Sequence, residues 1–172
     1  MNTFFKKIVV HILRWEARAV LNKFQPKIVA VTGSVGKSST KEAITVVLSL
    51  KYRVYKSPKS YNSAIGLPLT VLQQSTAWHS SAGWALVLWR GFFLRFQKEY
   101  SEVLVLETGV DRPGDMDSIL SIVEPQVSVV TAIGEIPVHV EFFSGPKELA
   151  FEKGKLARGT SSTGLVLLNA DD

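Results

Sequence analysis

The segment Ile28-Val29-Ala30-Val31-Thr32-Gly33-Ser34-Val35-Gly36-Lys37-Ser38-Ser39-Thr40 constrains this chain more than any other. A small and β-branched apolar run reads as a buried strand, and it breaks at once into a glycine turn ending in Lys-Ser. Lys41 to Leu50 then continue with helical character. Strand, glycine turn and helix N-terminus in that order make a phosphate cradle, because backbone N–H groups and the positive helix end converge on one place. Thr32, Gly33, Ser34, Val35, Gly36, Lys37, Ser38 and Ser39 are the residues expected to wrap the anion. Lys37 supplies a mobile cation for the β- and γ-phosphates, and Ser38 a hydroxyl able to ligate Mg2+. Only two residues separate Gly33 from Gly36, so the match is to a shortened form of the loop. The expected ligand is a nucleoside triphosphate.

With 172 residues, 46% of them hydrophobic, the chain can bury one core. The absence of cysteine excludes a disulfide framework and a thiolate metal site, and fits a reducing, cytoplasmic setting. A net charge of +5 suits an anionic substrate, and no aromatic–basic interleaving or helix-turn-helix pattern points to nucleic acid. Met1 to Phe24 is apolar but interrupted by His11, Arg14, Glu16 and Arg18, with no cleavage site after it, which argues against a signal peptide. It reads as an amphipathic helix with Ile8, Ile12, Trp15, Ala19 and Leu21 on one side. Two readings stay open for it: packing on the domain, or lying on a membrane surface as a peripheral contact. Ala82 to Phe96 carries Trp84, Trp89, Phe92, Phe93 and Phe96 and is too short to span a bilayer. It reads as a helix with an exposed apolar stripe for a partner or a lipid.

Strand candidates are Ile28–Thr32, Arg53–Lys56, Val103–Leu106, Val127–Thr131 and Leu165–Leu168. Helices are expected over Lys37–Leu50, Ala82–Tyr100, Asp115–Val123 and Pro146–Arg158. Their alternation predicts an α/β fold with a mostly parallel sheet flanked by helices, whose site lies beyond the carboxyl ends of the strands. Residues 1–26 are read as a basic N-terminal helix and 27–172 as one nucleotide-binding domain. The final strand has just reached a polar loop at Asp172, so the domain is expected to be truncated there.

Three side chains beyond the loop carry chemistry. Glu107 stands at the tip of Val103–Leu106, where a Mg2+ ligand belongs, although a solvated loop acid has the same position. His139 follows the strand Val127–Thr131 in a loop at the same sheet end, although a lone histidine is more often a surface or core residue. Lys153 falls in the apolar stripe of its helix with Leu149 and Leu156, whereas Lys147 and Lys155 point away. An inward lysine meets a partner, loses its proton or snorkels to the helix end, and periodicity alone favours snorkelling. A neutral amine there could add carbon dioxide to become a carbamate able to ligate metal.

Four ordered segments resemble the ATP-binding central domain of the Mur ligases, amide-forming enzymes of peptidoglycan synthesis. They are Thr32 to Glu42, Tyr61-Asn62-Ser63-Ala64-Ile65-Gly66-Leu67-Pro68-Leu69-Thr70, Glu107-Thr108-Gly109-Val110-Asp111-Arg112-Pro113-Gly114-Asp115, and Ile133-Gly134 through His139 to Glu152-Lys153-Gly154. Leu168-Asn169-Ala170-Asp171-Asp172 is a weaker fifth. Lys41-Glu42 and the Pro113-Gly114-Asp115 pattern resemble the branch that adds D-alanyl-D-alanine; the folylpolyglutamate synthetases share the shortened loop and form a second choice. A nucleotide-binding interaction module at a membrane-associated assembly is an alternative of a different class.

The resemblance implies a P-loop-type fold and an ATP-dependent ligase that passes through an acyl phosphate. Its partners would be ATP, a UDP-muramoyl-peptide-like carboxylate and a D-alanyl-D-alanine-like amine. It further implies that Lys37 holds phosphates, Ser38 and Glu107 a first Mg2+, and His139 a second. Lys153 would be carbamylated beside that second metal, and Asn62 and Ser63 would line the substrate side. Ser63 stands where the family usually has a second asparagine, and Lys155 where an acid commonly follows the carbamylated lysine.

Overall fold

The computed structural model describes residues 3–58, 65–78, 80–133 and 142–171. Helix α1 (Thr3–Phe24) leads into β1 (Lys27–Thr32), α2 (Lys37–Ser49), β2 (Val54–Lys56), α3 (Gly66–Val71) and α4 (Ser81–Leu94). β3 (Val103–Glu107), α5 (Asp115–Leu120), β4 (Val127–Val130), α6 (Pro146–Arg158) and β5 (Leu165–Leu168) complete the order. The strands form one sheet in the order β2-β3-β1-β4-β5, and every neighbouring pair is parallel. The α/β parallel architecture expected from the alternation is therefore present.

The central strands are apolar almost without interruption because both sheet faces are covered. Ile28, Ala30, Leu104 and Leu106 point into the larger core under α1, α3, α4, α5 and α6. Val29, Val103 and Val105 point the other way, onto Ile44 and Leu48 of α2. Register aligns the strand tips: Val31 lies opposite Glu107, and Thr32 opposite Val130. The loops after β1, β3 and β4 consequently leave the sheet side by side. β5 lies at the edge with all its residues exposed.

Several helices depart from the sequence reading. α4 ends at Leu94 instead of Tyr100, because Tyr100 leaves the helix to stack on Phe24 at 5.0 Å and to donate its hydroxyl proton to the Val71 carbonyl. α5 stops at Leu120, short of Val123. α3 has no sequence periodicity of its own; all its residues are buried, and packing holds it.

The side of the opening helix that carries Ile8 and Trp15 is not the side that packs on the domain. Val9, Leu13, Glu16, Ala17 and Val20 are buried, whereas Ile8 and Trp15 stay exposed. Because α1 is apolar around much of its girth, periodicity alone does not choose the face. The choice is made by α3 and α4, which pack against it. Gly91 permits the α1–α4 approach, since a Cβ there would collide with the Glu16 carboxylate. Oε2 of Glu16 has no hydrogen-bond partner among the described residues, and burial raises the pKa of this acid to about 7 against the opposing charge of Arg95. A raised acid pKa means the folded state keeps a proton the unfolded chain releases. Its stabilising contribution is full below pH 4.5 and lost as pH rises through about 7. Glu16→Gln is expected to flatten this slope in urea unfolding across that window; an unchanged slope would show that Glu16 titrates normally.

Candidate active site

The turn between β1 and α2 is held by the tip of β4. Thr131 Oγ1 lies 2.7 Å from the Val35 carbonyl and 3.0 Å from the Thr32 carbonyl, with one proton to donate between them. The amides of Ser34 and Val35 donate to the Ala132 carbonyl at 2.8 and 3.1 Å. The turn requires glycine: Gly33 has φ +143 and a Cβ would collide with Thr131, while Gly36 caps α2 in the left-handed region at φ +85. Ala132 thus engages the Ser34 and Val35 amides, and at the start of α2 the first bond runs from Thr40 N–H to the Gly36 carbonyl. That leaves the Lys37, Ser38 and Ser39 amides ahead of the helical ladder. Thr32 Oγ1 and Ser34 Oγ are buried there without a hydrogen-bond partner among the described residues.

Below the turn lies a buried polar cluster. Ser38 Oγ is 3.1 and 3.0 Å from the two carboxylate oxygens of Glu107. Lys41, one helical turn on, pairs with Glu107 Oε2 at 3.0 Å and donates to the Ser57 carbonyl at 3.1 Å. The Glu107 amide donates to Ser57 Oγ. Glu107 is 2% exposed and Lys41 4%, so each charge depends on the other for compensation. Lys41 and Ser57 were not picked out as site residues. For Lys41 the available signals are its place in the Lys41-Glu42 segment and the polar spacing of Ser38, Lys41 and Thr45 along α2.

Lys37 rests with its ammonium 3.2 Å from the Ser34 carbonyl. Lys153 reaches the same turn from α6 and donates to the Gly33 carbonyl at 2.9 Å. It is buried as its helical phase indicated, and it meets a partner at the loop, which snorkelling to the helix end would not provide. Desolvation, and then the nearby Lys37 charge, lower its pKa to about 8, with Asp111 opposing. Lys155 points away from the inward stripe, as expected, and pairs with Asp117 at 2.6 Å and with Glu152 at 2.7 Å. Glu152 also accepts from the Gly114 and Met116 amides, which ties α6 to the loop after β3.

Ser38 and Glu107 offer a hydroxyl and a carboxylate side by side, hard oxygen donors that fit Mg2+. Among the described residues no three His, Asp or Glu groups gather into a metal cage, and a two-donor site suits an ion that keeps most of its water. His139, Asn62 and Ser63 lie outside the described residues. Beside the turn, a groove of about 420 Å3 opens between Val35, Gly36, Thr131, Ala132, Leu168 and Asn169.

The family described as the Mur ligase middle domain matches residues 31–82 and 89–172. The chain belongs to the Mur ligase family. Among similar Mur ligases is the UDP-N-acetylmuramoyl-tripeptide–D-alanyl-D-alanine ligase of Bacillus subtilis, 30% identical over 91% of the chain and 29% of the relative. The enzyme of the same name from Borreliella burgdorferi is 32% identical over 86% of the chain and 26% of its own length. The chain thus spans under a third of the relatives it matches. The crystal structure of the MurF ligase from Thermotoga maritima in complex with ADP superposes with a TM-score of 0.72 and 28% identity, covering 95% of the chain and 32% of that protein. MurF from Acinetobacter baumannii, at 23% identity and a TM-score of 0.70, shares the fold.

Proposed function

We propose that this Mur ligase chain binds ATP and Mg2+ and forms the nucleotide-binding part of an amide ligase in peptidoglycan precursor synthesis. The proposed reaction joins a UDP-N-acetylmuramoyl-tripeptide carboxylate to the amine of D-alanyl-D-alanine. The observation that carries the reading is the convergence of Ser38, Glu107 and Lys153 on one glycine turn. The names of the similar ligases favour this choice over the folylpolyglutamate-synthetase one.

In this reaction the substrate carboxylate attacks the γ-phosphorus and ADP departs, leaving an acyl phosphate. The incoming amine then attacks the acyl carbon, phosphate leaves, and the nitrogen loses a proton. Phosphoryl transfer of this kind needs positioning and charge neutralisation more than a strong base. Lys37 and the α2 N-terminal amides bind and orient the β- and γ-phosphates. Ser38 and Glu107 would hold Mg2+, which when bound neutralises phosphate charge. Lys41 keeps Glu107 aimed at Ser38. Lys153, with a pKa near 8, has a neutral amine fraction available to form the carbamate. As a carbamate it would serve a second Mg2+ together with His139. Asn62 and Ser63 are assigned to the substrate side. Dependence on ATP agrees with a cytoplasmic setting.

The whole gene product is expected to release ADP only when both the muramoyl-tripeptide and D-alanyl-D-alanine are present. Lys153→Ala should lower turnover at least ~100-fold, in line with the loss of a positioned electrostatic group, and bicarbonate should not restore it. ADP release that ignores either substrate would remove this reading, and full activity of Lys153→Ala would make that lysine structural.

A further inference from the structure

Helices α1 and α4 each carry a second apolar face. The inward face of α4 consists of Trp84, Val87, Gly91 and Leu94, and that of α1 includes Val9, Leu13 and Val20. Outside them, Trp89 is 64% exposed, Phe96 62% and Trp15 51%, with Ile8, Leu86 and Phe93 also exposed. These side chains are continuous across the two helices. The Arg95 guanidinium lies 5.0 Å from the Trp15 ring, 3.9 Å from Phe92 and 5.0 Å from Phe96. Phe93 in turn lies 4.6 Å from Trp89 and 6.0 Å from Phe96. Soluble domains rarely leave so large an aromatic cluster bare without a binding role.

The charges around the cluster say what covers it. α4 contains no acidic residue, and its charged side chain is the exposed Arg90. α1 has Lys6 and Lys7 near its start and no acid before Glu16, which is buried on the inward side. Arg95 and Lys98 follow at the end of α4, and the adjacent Glu99 is held by Arg53 at 2.6 Å. The rim is therefore cationic. A second copy of the chain would bring the same cations face to face, which disfavours self-association through this surface. A bilayer with anionic headgroups offers negative charge above an apolar layer, and Trp and Phe between the two are at home there. No helix among the described residues is long and apolar enough to cross a membrane, so the contact is peripheral. We infer that the α1–α4 face, centred on Trp89, Phe93, Phe96 and Trp15 and rimmed by Lys6, Lys7, Arg90 and Lys98, docks on anionic phospholipid surfaces. None of these residues belongs to the phosphate-turn cluster, so the inference is independent of the nucleotide reading.

Sedimentation with large unilamellar vesicles tests it, comparing phosphatidylcholine containing phosphatidylglycerol with phosphatidylcholine alone. The chain is expected to partition at least ten-fold more strongly onto the anionic vesicles, with a blue shift of tryptophan fluorescence and release by salt. Trp89→Ser/Phe93→Ser should reduce that partition at least ten-fold, and Arg90→Glu should reduce it on anionic vesicles. All these positions are exposed, so unchanged melting temperature and unchanged ADP affinity will show that the variants remain folded. A wild-type chain left in the supernatant by both vesicle types overturns the inference. So do equal binding to neutral vesicles, undiminished binding by the double variant, or a dimer that the double variant dissociates while vesicles capture nothing.

Discussion

Lys41→Ala is expected to lower the unfolding free energy by about 3–5 kcal/mol, the effect of removing one partner from a buried ion pair. The size follows from geometry. Glu107 is 2% exposed and its partner ammonium sits 3.0 Å away, so removing Lys41 leaves a buried carboxylate without that cation. Water cannot easily reach it, and screening that reduces surface pairs to near nothing does not operate there. For a domain of this size, with total stability of roughly 5–15 kcal/mol, the melting temperature should fall by about 6–20 °C. Lys41→Met/Glu107→Met should recover much of the loss, because an apolar pair of similar volume carries no stranded charge. Thermal unfolding of the three variants reads this out. A shift under about 2 °C for Lys41→Ala would mean the pair is hydrated and structurally idle. Nucleotide binding separates the roles further, since the double variant regains stability and still lacks the carboxylate proposed to hold Mg2+.

The second large effect is on ligand binding. Lys37→Ala should weaken ADP and ATP affinity by about 100-fold, or ~3 kcal/mol, as expected for truncating a cation that faces phosphate in a confined site. The first turn of α2 holds no acidic residue to oppose its charge. Lys37 bonds the Ser34 carbonyl at 3.2 Å, a contact it can give up at small expense, and melting temperature should barely change. A second reading comes from its neighbour. The Lys37 charge helps to depress the Lys153 pKa to about 8, so Lys153 in the variant should keep its proton to higher pH. Calorimetric titration tests the first claim, and NMR titration of the lysine side chains the second. Undiminished affinity would show that the helix start alone binds the phosphates.

Much of the fold was legible along the chain. Parallel strands leave unbroken apolar runs, which is why the edge strand β5 matches its expected bounds and β1, β3 and β4 lie within a residue of theirs. α6 was placed at its observed bounds as well, since Pro146 opens it and its apolar positions repeat with helical period. α3 was not legible: six residues carry too few turns for a period, and their burial comes from neighbours distant in sequence. The packed face of α1 was not legible for a related reason: both of its sides are apolar, and packing by α3 and α4 picks one.

By itself the sequence determined the parallel α/β plan, the place of the phosphate turn and the candidacy of Glu107 and Lys153, because each is written in local spacing and strand-tip position. The shape of the glycine turn was settled by Ala132 and Thr131, far along the chain from the turn they hold. The pairing of Lys41 with Glu107 and the joining of the α1 and α4 aromatic side chains through Arg95 were likewise decided only in three dimensions. The physical reason is the same for each. Desolvation and close packing depend on what else arrives at a point in space, and no short stretch of sequence carries that information.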